Sequence, residues 1–71
     1  MYQVFAFYPH LGDAVKVRVT EYRTKGEAYD YISGLRMCDT PYLAHKNGNI
    51  FDVETYDLTR EIMADMIEKY L

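Results

Sequence analysis

Asn47-Gly48, set between two runs in which apolar and polar residues alternate, constrains this chain more than any other feature. Both central residues of a type I′ turn need positive φ, and Asn-Gly accepts that at low steric cost, so residues 42–53 predict a tight hairpin. A two-residue loop pairs Lys46 with Asn49, His45 with Ile50, Ala44 with Phe51, Leu43 with Asp52 and Tyr42 with Val53. Tyr42, Ala44, Phe51 and Val53 then share one face. A slip of one residue would set Phe51 beside His45 and Ala44 beside Asp52, so the pattern selects this register.

The remaining elements follow from periodicity. Residues 2–8 are β-branched and aromatic without a helical repeat, which predicts a strand, and the Pro, Gly and Asp of residues 9–13 predict a turn. Val15, Val17 and Val19 alternate with Lys16, Arg18 and Thr20, the period of a strand with one buried face. Thr24 and Glu27 have capping-box spacing and open a helix over 25–37, with Ala28, Tyr31, Ile32, Leu35 and Cys38 on one side and Tyr29 and Arg36 pointing away. Pro41 ends it by pushing Thr40 out of the α region. Asp57 predicts the N-cap of a last helix to Leu71, whose apolar side is Leu58, Ile62, Met63, Met66, Ile67 and Tyr70.

The order is ββα-ββα. It predicts a single α+β domain over residues 1–71: a four-stranded, mainly antiparallel sheet with both helices packed on one face. The other face would be open, showing Leu43, His45, Ile50, Asp52 and Glu54 from the second hairpin and Lys16, Arg18, Thr20 and Tyr22 from the first. The first strand is apolar on both sides, the pattern of a strand buried on both faces. A four-residue and a five-residue first loop give it opposite orientations.

At 71 residues the chain buries only about 60% of its unfolded surface, and domains this small usually add a disulfide, a metal or a partner. Cys38 is the one cysteine and the two histidines are separated, so neither a disulfide nor a zinc pattern is present. Burial supplied by another chain, a second copy or a different protein, is the remaining means. The free thiol, with no export signal or membrane-length apolar run, predicts a cytoplasmic protein.

Residues that carry chemistry are few. Net charge is −3, divided into +1 over residues 1–37 and −4 over 38–71. Lys16, Arg18, Arg23 and Lys25, with Tyr22 among them, form the one basic cluster, a pattern that serves anions or single-stranded nucleic acid. Seven acids in the second half are sparse for mimicry of nucleic acid. His45 and Asp52, diagonal neighbours in the expected register, have no nucleophile beside them, and Cys38 follows a helix C-terminus, where the dipole disfavours a thiolate. Strand propensity accounts for most of the eight tyrosines, leaving Tyr22 and Tyr29 as contact candidates.

The expected function is therefore non-catalytic, with no metal and no cofactor. The sequence reads as a small protein–protein interaction module, a regulator or inhibitor of a larger protein of the bacteriophage accessory kind, that also associates with itself as a homodimer. Its expected contacts, on an open sheet face or edge, are Arg18, Tyr22, Tyr29, Leu43 and Ile50. The alternative is a nucleic-acid-binding module using Lys16, Arg18, Tyr22, Arg23 and Lys25. No membrane role is expected.

Overall fold

The computed structural model of the chain describes residues 1–9, 15–56 and 60–71. Four strands, β1 (Tyr2–Pro9), β2 (Val15–Tyr22), β3 (Tyr42–Lys46) and β4 (Asn49–Glu54), form one antiparallel sheet in the order β2-β1-β3-β4. Helix α1 (Lys25–Met37) follows β2 and α2 (Arg60–Tyr70) follows β4, giving the expected ββα-ββα order and α+β class. The expected first turn beyond Pro9, the Asp57 cap and Leu58 lie outside the described residues.

β1 pairs with β2 on one side and β3 on the other, and its two apolar faces are explained by its position. Val4 and Ala6, flanked by Tyr2 and Tyr8, meet Ala28, Ile32 and Leu35 of α1. Phe7 and its neighbour Phe5 face the opposite way, with Leu43, and meet Met63 and Met66 of α2. The expectation that both helices share one face is thus corrected: they cover opposite faces. Burying Phe7 and Leu43 under α2 is worth roughly 1.5–3 kcal/mol each, a gain that a second helix on the α1 face would forgo. The first hairpin pairs Pro9 with Val15, the five-residue alternative, so Lys16, Arg18, Thr20 and Tyr22 share the α1 face with Tyr8, Ala6, Val4 and Tyr2.

α1 begins and ends as its sequence dictates. The Thr24 hydroxyl accepts from the Glu27 amide at 3.2 Å and donates to the Glu27 carboxylate at 3.0 Å. At the other end Asp39 takes φ 51°, its amide donates to the Arg36 carbonyl and the Thr40 amide donates to the Leu35 carbonyl, a Schellman closure built on aspartate instead of glycine. Alanines at 6, 28 and 44, all fully buried, let the helix lie close on the sheet.

The second hairpin turns where expected, with Asn47 at φ 52° and Gly48 at φ 84°. Lys46 pairs with Asn49 and His45 with Ile50, but a β-bulge then shifts the register, so Ala44 pairs with Asp52, Leu43 with Val53 and Tyr42 with Glu54. The expected pairs beyond Ile50 are corrected by this one residue. The extra residue lets Phe51 pack on the α1 core while Asp52, its neighbour, reaches Arg36 on the same helix. Val53 goes to the other face.

Candidate interaction surface

Because β1 and β3 are central, the sheet has two edges, β2 and β4, and among the described residues neither is paired to a further strand. β2 is the longer, eight residues without proline or glycine. Its α2 face carries Val15, Val17 and Val19. Val15 and Val17 are partly covered by the α2 core, whereas Val19 is 50% exposed. Between β2 and α2 lies a hollow of about 350 Å³, mostly apolar, walled by Gln3, Phe5, Val17, Val19, His45, Met66 and Leu71. α2 covers the middle of the sheet and stops short of both edges: Val53 on β4 is 45% exposed, and Ile62 and Ile67 on the flanks of the helix are also exposed.

His45 is the one polar residue buried among the described residues, at 6% exposure. Its ring lies parallel to Phe5, centroids 5.4 Å apart. Nδ1 accepts the Gly48 amide at 3.1 Å, which puts the neutral ring's proton on Nε2, and Nε2 is buried without a partner. Burial lowers the pKa of this side chain. The hollow is therefore walled in part by a histidine whose burial favours the uncharged form.

The α1 face carries a different chemistry. Arg36 donates from Nε to the Tyr42 hydroxyl at 2.8 Å and from a terminal nitrogen to Asp52 at 2.8 Å, tying α1 to β3 and β4. Burial raises the Tyr42 pKa against the opposing pull of Arg36. Tyr31 stands between Tyr8 and Tyr22; burial first, then the adjacent Tyr8 hydroxyl, pushes its pKa up to about 12. Lys25 lies 5.3 Å from the Phe51 ring and Lys46 lies 4.6 Å from the Tyr2 ring. These two lysines border a second hollow, of about 410 Å³, with Tyr2, Asn47, Asn49 and Phe51.

The fold separates the residues expected to act together. Arg18 is exposed on β2 and Ile50 is exposed on β4, at opposite edges of the sheet. Leu43 is fully buried beneath Met63, so it is a core residue and not a surface contact. Tyr22 is half-buried against Tyr31, and Tyr29, expected to point away from the sheet, packs edge-on against Phe51 at 5.7 Å. The sheet is wider than the helix stripe, and β4 reaches round to meet Tyr29. The basic cluster also divides: Lys16 and Arg18 stay on β2, the exposed Arg23 lies between β2 and α1, and Lys25 joins Lys46. His45 and Asp52, expected as neighbours, face opposite sides because of the bulge.

Sequence reasoning missed Val19 and Val53, which the alternation assigned to a buried face. Only knowing that α2 spans the centre of the sheet would have marked them as exposed. Among the described residues no three His, Cys, Asp or Glu side chains gather as metal ligands, and no helix is long and apolar enough to cross a membrane. No protein-family model, curated protein or solved structure matches this chain.

Proposed function

We propose that this chain acts by binding another protein along the β2 edge and the hollow beside it, as a non-catalytic regulator or inhibitor of a larger protein. The observation that carries the reading is Val19: a half-exposed valine on an unpaired eight-residue edge strand, beside a mostly apolar hollow of about 350 Å³. An edge strand offers main-chain hydrogen bonds to an incoming chain, and a hollow flanking it takes every second side chain of that chain. The short core favours added burial, and the exposed single thiol of Cys38 suits a reducing, cytoplasmic setting. The bacteriophage accessory class fits the size alone. Nucleic-acid binding is the weaker reading because its five expected residues are divided between the β2 edge and the start of α1.

Affinity capture from native cells, with and without nuclease, tests this. The expected result is a protein retained after nuclease treatment by the wild-type chain and lost with Val19→Asp, changing little with salt. Retention that nuclease abolishes, that survives Val19→Asp and that falls log-linearly with salt would overturn it in favour of nucleic acid.

A further inference from the structure

The two sheet edges differ in charge, and the difference is matched. On the α1 face, β2 presents Lys16 and Arg18, opposite Tyr8 and Ala6; β4 presents Asp52 and Glu54, opposite Ala44 and Tyr42. Asp52 is held by Arg36, while Lys16, Arg18 and Glu54 form no salt bridge among the described residues. On the α2 face each edge carries one half-exposed valine, Val19 on β2 and Val53 on β4. Residues 16–19 of β2 therefore alternate base and valine, with the exposed Glu21 beyond them, and residues 52–54 of β4 read acid-valine-acid.

The backbone agrees with the side chains. The Phe7 amide donates to the Pro41 carbonyl at 3.0 Å, so Phe7 and the alternate residues Phe5 and Gln3 turn their amides towards β3. Val4, Ala6 and Tyr8 then turn towards β2, whose Thr20, Arg18 and Lys16 turn back to meet them, and Val17, Val19 and Glu21 turn outward. Across the tight turn Lys46 and Asn49 form a hydrogen-bonded pair, and two-residue alternation makes Ala44–Asp52 and Tyr42–Glu54 such pairs, leaving the amide of Val53 outward. β2 and β4 run in opposite directions within the sheet.

We propose that the β2 edge pairs with the β4 edge of a second copy of this chain, antiparallel, with Val19 opposite Val53. This rests on the reading of β2 as a contact edge and adds that, in self-association, a second copy of this chain takes the place of the larger protein there. The register sets Arg18 opposite Glu54 and Thr20 opposite Asp52, keeps Asp52 on its own Arg36, and joins two outward-turned amides on one face. The other edge pairings are poorer. β2 against β2 gathers Lys16 and Arg18 of both copies on one face, and β4 against β4 about Val53 sets Glu54 directly opposite Asp52. The contact is heterologous, so a pair of copies retains one free β2 edge and one free β4 edge between them, and assembly proceeds head to tail instead of stopping at a two-fold dimer.

Cross-linking in a Cys38→Ser background tests the pairing, because directly opposed strand residues lie within disulfide reach. Val19→Cys chains and isotope-labelled Val53→Cys chains, both sites being half-exposed, are mixed and oxidised. The expected product is the mixed V19C–V53C dimer, in at least about tenfold excess over either self-linked dimer. Predominance of the V19C–V19C product would overturn the proposal in favour of an isologous edge. Sedimentation supplies the second measurement: Arg18→Glu and Glu54→Arg each weaken association about tenfold, and the double exchange restores it. A chain that is monomeric at every concentration, or whose double exchange fails to recover, overturns it as well. Failure here with Val19-dependent capture of another protein intact would leave the broader interaction reading standing.

Discussion

α1 lies on its face of the sheet through directional contacts made along its whole length, whereas α2 lies on the opposite face mainly through Met63, Met66 and Leu71. On the α1 side, burial of Ala28, Ile32 and Leu35 is finished by the Thr24 cap, the Schellman closure and the Arg36 fork to Tyr42 and Asp52. On the α2 side the flexible methionines fill what they meet, two valines remain half-exposed at the edges, and a histidine donor is buried unsatisfied. The Arg36 hydrogen bonds fix α1 against β3 and β4, while the packing of Met63 and Met66 holds α2 with less directional specificity. The less finished face is the one with surface left to offer.

The difference predicts unequal losses on truncation. Ile32→Ala should cost about 3–4 kcal/mol, because its surroundings are held by the polar contacts and collapse little, while Met63→Ala should cost about 2 kcal/mol as α2 settles onto the smaller residue. Urea denaturation measures both. Equal losses would mean that the two faces are equally well packed.

pH sharpens the comparison further. Burial holds the His45 pKa below its ordinary value, so the unfolded chain takes up a proton that the folded chain resists. Above about pH 6.5 the side chain is neutral in both states and adds no proton-linked cost, and stability declines as pH falls from there towards the lowered folded-state pKa. His45→Leu should remove that part of the decline in denaturation series at decreasing pH. A slope unchanged by the substitution would place the acid sensitivity elsewhere.

The smallest effect concerns the α1 fork. Tyr42→Phe keeps the buried ring and removes the hydroxyl that Arg36 meets, and should cost about 1 kcal/mol by the same denaturation measurement. A neutral result would mean that apolar packing alone secures α1, which would narrow the contrast between the faces.

The parts of the fold readable from the sequence are those whose partners are local. Thr24 and Glu27 cap their own helix, and Asn47-Gly48 turns its own hairpin, so neither depends on distant residues. The bulge was not readable, because a period-two pattern has no mark for an extra residue; Phe51 and Asp52 gain their common side from Tyr29 and Arg36, which arrive from α1. The face taken by α2 was written in β1, whose Phe5 and Phe7 need a cover as much as Val4 and Ala6 do, but the same pattern also describes a strand covered by another chain. The expected contact residues shared that ambiguity. Leu43 alternates like a surface residue, and only Met63, twenty positions later, makes it core.

The strand order also bears on how the chain reaches this state. The β1–β2 and β3–β4 hairpins are local, but β1 must also find β3, and Tyr2 stands 44 positions from its cross-strand neighbour Lys46. Closing that loop loses chain entropy before any contact across it compensates, so the meeting of β1 with β3 is the natural kinetic bottleneck. The first hairpin and α1 would form early and wait, with one side of β1 unpaired, until the second hairpin docks and completes the sheet.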